Sequence, residues 1–197
     1  SDVDWLLTVA SSALATPLSR SDVLGAYAGL RPLLDGGATR SADLSRHHAV
    51  LTSADGVVTV VGGKLTTYRK MAADAVDAAM PTAGPSRTRR IPLVGAASRR
   101  ELSAVEEPAR LVHRYGTEAG RVAALGVLDP ELAAPVADGS PVTAAEVVWA
   151  VRHEGALEPA DVLDRRTRIG LVPADRAAAE ATVADLVGRT LAGLADR

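Results

Sequence analysis

The chain has no cysteine, phenylalanine, asparagine or glutamine, and only 3% of its 197 residues are aromatic. Without cysteine there can be no disulfide framework, thiolate metal site or catalytic thiol, which suits a reducing cytoplasm. The missing Phe, Asn and Gln, beside abundant Ala, Val, Arg and Gly, are a compositional bias without mechanistic content. Neither sign of charge dominates, with 22 Lys and Arg against 24 Asp and Glu. No overall field therefore draws in nucleic acid or an anionic membrane, and any anion site must be local. No apolar run approaches the roughly 20 residues that span a bilayer, and the first segment lacks the basic start and apolar centre of a signal peptide. Attachment to a membrane surface stays open. The sequence opens on Ser1 with an amphipathic segment already under way, which reads as a fragment or a processed form.

What is present suits a globular protein with one sizeable core or two small ones, since 47% of residues are hydrophobic and 23% charged. Val3, Leu6, Leu7, Ala10 and Leu14 fall at helical spacing, predicting a helix over 3–15 that ends at Thr16-Pro17. The stretch from Val23 to Leu34, broken by Gly25, Gly29 and Pro32, suits an irregular strand or loop. His47 to Thr52 and Val57 to Val61 read as two strands joined by a tight hairpin, with Gly56 supplying the positive φ. After Gly62-Gly63, the recurrence of Leu65, Tyr68, Met71, Ala72, Ala75, Val76 and Ala79 predicts a helix closing before Pro81.

Pro81-Thr82-Ala83-Gly84-Pro85-Ser86 is the clearest linker, followed by the basic Arg87, Arg89 and Arg90. Beyond it the pattern is helical. Ser98 with Glu101, and Thr143 with Glu146, match the capping box. Pro108 opens a helix that Gly116 stops, a short helix covers 117–125, and the most regular helix starts at Pro173. The expected fold class is α+β: an incomplete fragment with a hairpin and helices over 1–80, a linker over 81–92 and an all-helical domain over 93–197.

A strand, Gly-Gly turn and helix in succession let the backbone approach a ligand closely and present unpaired amides at the positive end of a helix dipole. The place suits an anion or a polarised carbonyl, and equally a plain tight turn. It is not a phosphate-binding P-loop, which would need Gly at Val58 and Ser or Thr at Leu65. His153-Glu154 lacks the second His of a zinc helix, position 157 being Leu. No metal is assigned. His47, His48 and His113 read as structural or exposed. Arg165, Arg166 and Arg168 form a basic patch that reads more simply as helix capping or ion pairs with Asp161 and Asp164.

Val57 to Arg69, with its run Gly62-Gly63-Lys64-Leu65-Thr66-Thr67-Tyr68-Arg69, resembles the close of the flavin domain in flavin-dependent glycerol-3-phosphate dehydrogenases. Tyr27-Ala28-Gly29-Leu30-Arg31-Pro32-Leu33 resembles an upstream motif of that family, and Ser45-Arg46 a further one. The similarity continues through Arg152-His153-Glu154-Gly155-Ala156 and the segment from Asp161 to Arg168, so it covers nearly the whole chain.

The resemblance implies noncovalently held FAD, hydride removal from glycerol 3-phosphate, release of dihydroxyacetone phosphate and passage of electrons to a quinone. It implies that Arg31 and Arg46 grip the substrate phosphate, for which guanidinium forks are suited. Lys64 would stand beside the flavin as the catalytic cation, and the Gly62, Gly63, Lys64, Leu65, Thr66 and Thr67 turn would bind the cofactor through the amides of Leu65 and Thr66 and the Thr67 hydroxyl. A homodimer and peripheral association with the inner face of the cell membrane are compatible with it, and nucleic acid is not an expected partner. The dinucleotide-binding Gly-x-Gly-x-x-Gly motif is absent, and the catalytic base of such an enzyme would lie upstream, so the isolated chain is expected to be inactive. Two other readings stand beside this one: a glycerophosphate oxidase that uses oxygen, and a stand-alone helical interaction module without catalysis.

Overall fold

The structure is a computed structural model that describes residues 2–30 and 47–195. It is α+β, and the described residues form one two-stranded antiparallel sheet and a series of helices. The chain divides into two compact units, Ala28–Leu93, and Ser1–Tyr27 together with Val94–Arg197.

In the first of these, β1 (His48–Thr52) and β2 (Val58–Gly62) pair in a register that sets His48 opposite Gly62 and Val50 opposite Val60. Gly56, at φ 85°, turns the hairpin, and its amide donates to the Ser53 carbonyl at 3.0 Å. This is the left-handed residue that the Ser53-Ala54-Asp55-Gly56 sequence requires. A 3-10 turn at Leu65–Thr67 leads into α2 (Tyr68–Ala79), which packs on both strands. Among the described residues of this unit none is fully buried; Leu51, Leu65, Tyr68, Val76 and Met80 are all at least half exposed.

The other unit opens with α1 (Asp2–Ser11), which ends four residues earlier than the apolar spacing predicts. The Ser12 hydroxyl donates to the Val9 carbonyl at 2.7 Å, and the Leu18 amide donates to the Ser11 hydroxyl at 2.9 Å. Side-chain hydroxyls thus compete for the backbone and end the helix early. The helical remainder comprises α3 (Arg99–Ser103), α4 (Ala109–Tyr115), α5 (Ala119–Leu128), α6 (Ala144–His153) and α7 (Pro173–Ala195). Both predicted capping boxes form, at Ser98 with Glu101 and at Thr143 with Glu146. A 3-10 turn at Gly116–Glu118 displaces the start of α5 to Ala119, and the helix runs on until Asp129-Pro130 stops it.

Helix α6 is the centre of this unit, since Ala144 to Val151 are all buried. A helix apolar around its circumference belongs inside a domain. One side of it joins the cluster of Val136, Val162, Leu163, Val183 and Val187; the other, through Ala145 and Trp149, joins Leu111, Tyr115, Ala119 and Val122. Val162 and Leu163 reach the first cluster from a π-helical turn at Asp161–Arg166, closed by the Thr167 amide on the Val162 carbonyl at 2.9 Å. Arg165 and Arg166 both pair with Asp161 there, whereas Asp164 pairs with Arg176 of α7. The basic run thus clamps a turn.

Gly116 has φ 59°, and a Cβ on it would lie 1.8 Å from the Gly95 carbonyl oxygen, where the Thr117 amide also donates to that oxygen at 3.0 Å. Replacing Gly116 with Ala is expected to cost about 2–3 kcal/mol through a disfavoured φ and a forced separation of two backbone segments. Chemical denaturation of the chain measures this, and a loss under about 0.5 kcal/mol, the size of an ordinary surface substitution, would contradict the close approach.

Candidate functional site

The end of β2 and the start of α2 form the most unusual local backbone of the smaller unit. Gly62 and Gly63 are successive left-handed residues, at φ 74° and 85°, a conformation that side chains other than Gly rarely tolerate. Gly63 has a second reason to lack a side chain, because a Cβ would meet Met71 Sδ of α2 at 2.5 Å and the Cβ of His48 at 3.2 Å. The glycine pair therefore reverses the chain while letting the first turn of α2 close onto the hairpin.

Lys64 then returns to extended backbone at φ −132°. Its amide donates to the Thr67 hydroxyl at 3.2 Å, and that hydroxyl donates to the Lys64 carbonyl at 2.9 Å. The Thr67 amide reaches the same carbonyl at 2.9 Å. Thr67 is thus the clasp of the turn. Its hydroxyl proton is already committed to the backbone, a different use from the ligand contact that the family resemblance implies. The helix itself starts at Tyr68, so the amides of Leu65 and Thr66 belong to a preceding 3-10 turn and have no intrahelical acceptor. The Lys64 ammonium makes no hydrogen bond or ion pair among the described residues.

The structure brings two further groups to this place. His48 Nε2 lies 2.8 Å from Asp74 Oδ2, and Lys70 Nζ holds the other carboxylate oxygen of Asp74. Hydrogen bonds from Lys70 and then from His48 keep the Asp74 carboxyl below its ordinary range. The pair ties the first residue of β1 to the second turn of α2, straddling the glycine turn. His47, His48, Lys64 and Thr67 line a small cavity of about 160 Å³. Sequence spacing alone hid this grouping, because it depends on the hairpin register that sets His48 opposite Gly62. Lys70 and Asp74, four apart on one helix, were the one local sign.

Of the residues assigned to the site from sequence, Gly62, Gly63, Lys64, Leu65, Thr66 and Thr67 form one continuous turn. Arg31 and Arg46 lie outside the described residues. The turn can present two backbone amides and one ammonium to an electron-rich partner from a single edge. Opposed groups that would enclose such a partner do not occur within the described part of this unit.

The larger unit holds a second polar centre, which sequence reading identified only as a helix cap. Glu146 is 2% exposed. Its carboxylate accepts from Arg110 Nη1 at 2.9 Å, from the Tyr115 hydroxyl at 3.1 Å and from the Thr143 amide at 3.0 Å. Arg110 Nη2 makes a second bond, and Arg114 Nε stands 3.7 Å away. Burial pushes the Glu146 carboxyl up, but the Arg110 fork, the Thr143 amide and the Tyr115 hydroxyl outweigh it, so the group stays ionised below its ordinary value. Burial and the Glu146 charge push the Tyr115 phenol up, keeping it a donor. The arrangement joins α4 to α6 and exposes no reactive atom, so it is a structural network.

Comparison with known proteins completes the description. Residues 86–193 match the family described as the C-terminal domain of alpha-glycerophosphate oxidase. The chain is 47% identical over 95% of its length to glycerol-3-phosphate dehydrogenase 1 of Mycobacterium bovis. It is 39% identical over 99% of its length to glycerol-3-phosphate dehydrogenase of Mycobacterium leprae. With the mitochondrial glycerol-3-phosphate dehydrogenase SDP6 of Arabidopsis thaliana it shares 33% identity over 90% of the chain. The matched region spans 38%, 36% and 33% of these three relatives, so the chain corresponds to about a third of their length. The family match takes in more than half of the chain and nearly all of its helical unit, and on that ground the protein belongs to the family defined by the C-terminal domain of alpha-glycerophosphate oxidase.

Proposed function

We propose that this chain is the carboxyl-terminal part of a flavoprotein that oxidises sn-glycerol 3-phosphate to dihydroxyacetone phosphate and passes the electrons to a quinone. The observation that carries the reading is the Gly62–Thr67 turn, which offers its amides and Lys64 from one edge. The names of the mycobacterial relatives support the substrate, and the similarity to them extends over both units.

The residues present fit one wall of a site for FAD. The turn has no Cβ at Gly62 or Gly63, the amides of Leu65 and Thr66 lack intrahelical acceptors, and the Lys64 cation has no partner among the described residues. When bound, FAD supplies the hydride-accepting ring. The chain's own work is to fix the turn: Thr67 clasps Lys64, Met71 and His48 pack against Gly63, and Asp74 locks α2 to β1. Lys64 then steadies negative charge or orients a phosphate-bearing substrate. Arg31 and Arg46 hold the substrate phosphate in this reading, by charge-assisted bidentate bonds. Location in the cytoplasm, peripheral contact with the inner face of the cell membrane and a homodimeric state belong to the same proposal. Among the described residues no helix is long and apolar enough to cross a membrane.

The isolated 197-residue chain is expected to bind no stoichiometric flavin and to oxidise no glycerol 3-phosphate. Joined to a flavin-binding segment like that of its relatives, it is expected to gain glycerol 3-phosphate-dependent dye reduction. Flavin retained by the isolated chain through gel filtration, or a joined protein that binds flavin yet stays inert, would overturn the reading. The second outcome would leave the helical unit as an interaction module. The oxidase description of the matching family favours oxygen as an alternative acceptor, and the hydrogen peroxide released per dihydroxyacetone phosphate separates the two.

A further inference from the structure

The chain as a whole is nearly neutral, but the unit Ala28–Leu93 is not: it holds nine Lys and Arg against five Asp and Glu. Part of that surplus is gathered where the last residue of the glycine-turn motif, Arg69, meets the basic run after the linker. Residues Thr88–Arg90 form a 3-10 turn packed on α2. Arg69 Nη1 donates to the Thr88 hydroxyl at 3.3 Å, and that oxygen lies 2.9 Å from the Ser86 hydroxyl. The Thr88 amide also reaches the Ser86 hydroxyl at 3.4 Å. Ser86 of this pair, with Pro85, Arg87, Arg89, Arg90 and Ile91, lines an open concavity of about 1020 Å³, and Thr88 and Arg69 stand behind it.

None of Arg69, Arg87, Arg89 and Arg90 has a carboxylate partner among the described residues. Many other described arginines are matched, Arg110 with Glu146, Arg165 and Arg166 with Asp161, Arg176 with Asp164 and Glu180, Arg189 with Asp185. Those that are not, Arg99, Arg100, Arg152 and Arg168, do not form a group of three within four residues. Three guanidinium groups within four residues repel one another, and a partner carrying two negative charges and several acceptor oxygens relieves that repulsion. A phosphate group has this chemistry, while a single carboxylate saturates one fork. No aromatic side chain occurs between residues 81 and 93, so the stacking that single-stranded nucleic acid needs is missing.

We propose that Arg87, Arg89 and Arg90, with Arg69 and the Ser86 and Thr88 hydroxyls, bind the phosphate group of a ligand, either a soluble phosphate ester or a lipid headgroup. The arginines supply charge and forked donors. The hydroxyl pair, pinned by Arg69, sets where the phosphate oxygens sit. The site does not depend on flavin or on glycerol 3-phosphate turnover.

The test uses the full 197-residue chain at low ionic strength without flavin. One arm titrates inorganic pyrophosphate by calorimetry, and the other sediments the chain with phosphatidylglycerol or phosphatidylcholine vesicles. Both are run on an Arg31→Gln/Arg46→Gln background, so that the substrate-phosphate residues of the proposed function cannot supply the signal. The expected result is saturable binding in one arm, which identifies the soluble or the lipid source. Arg89→Gln/Arg90→Gln should weaken it about tenfold or more, with the lysine versions of both residues recovering only part. The control Arg99→Gln/Arg100→Gln removes the same charge from α3 and should leave binding unchanged. Absence of saturable binding in both arms, insensitivity to Arg89→Gln/Arg90→Gln, or an equal loss in the α3 control would each overturn the proposal. Circular dichroism verifies folding, and Arg87→Gln alone replaces any double variant that loses helicity.

Discussion

Replacing Glu146 with Ala should destabilise the helical unit by about 3 kcal/mol, near the lower end of the range for stripping one partner from a buried charge pair. The lower end applies because the Arg110 and Arg114 side chains are 37% and 30% exposed, so water recovers part of what the carboxylate supplied. The loss comprises the Arg110 fork, the Tyr115 hydroxyl bond and the closing of the α6 cap on Thr143. Replacement by Gln keeps the shape but removes one acceptor and turns an amide donor toward Arg110 or Tyr115, so it should recover little. In a unit of this size the change appears as a fall of roughly 10 °C in the calorimetric midpoint at pH 7.

The same carboxylate predicts the direction of a pH dependence. Its folded-state value lies below the ordinary 4.5, so its stabilising contribution is fully present above that pH and is lost as acid titrates the folded group. The difference between wild type and Glu146→Ala should therefore be constant from pH 6 to 8 and shrink below about pH 4.5. A midpoint unaffected by the substitution, or a difference that grows on acidification, would show that Glu146 is not the anchor of α4 on α6.

Lys64→Ala, made in the complete flavoenzyme that the proposed function requires, should lower kcat by about 10²–10³, the usual cost of removing a preorganised charge stabiliser. The side chain makes no contact with a polar partner among the described residues, and the Lys64 peptide keeps its Thr67 bonds in the variant. The turn should survive, so flavin content should stay near that of the wild type. Steady-state and single-turnover kinetics separate the alternatives. If kcat is preserved and only KM rises, Lys64 positions substrate without acting on the reduced ring; if neither changes, the ammonium lies outside the site.

Much of the architecture was legible because it rests on local physics. The hairpin follows from two short apolar runs around Gly56, and both capping boxes from the pairing of a hydroxyl with Glu three positions on. The glycine turn was legible as a place where the backbone needed freedom. What was hidden depends on tertiary register. His48 meets Asp74 only after β1 has paired with β2 and α2 has closed onto both. Glu146 looked like a surface cap, but Arg110, Arg114 and Tyr115 arrive on it from a helix more than thirty residues earlier. The π-helical turn at Asp161–Arg166 gave no sequence signal, since its extra residue is fixed by burying Val162 and Leu163 together. Thr67 has a local use that the motif did not announce, because its hydroxyl closes its own turn.

The lack of any fully buried residue in the described part of the hairpin unit has a thermodynamic consequence. Heat capacity of unfolding and denaturant sensitivity both scale with the surface that a transition exposes. Among the described residues both buried clusters lie in the helical unit, so a calorimetric peak of the isolated chain will report chiefly on α4 to α7 and little on the glycine turn. A ligand that binds the Gly62–Thr67 turn only in its folded form will stabilise it by mass action, by an amount that grows with the logarithm of ligand concentration over Kd.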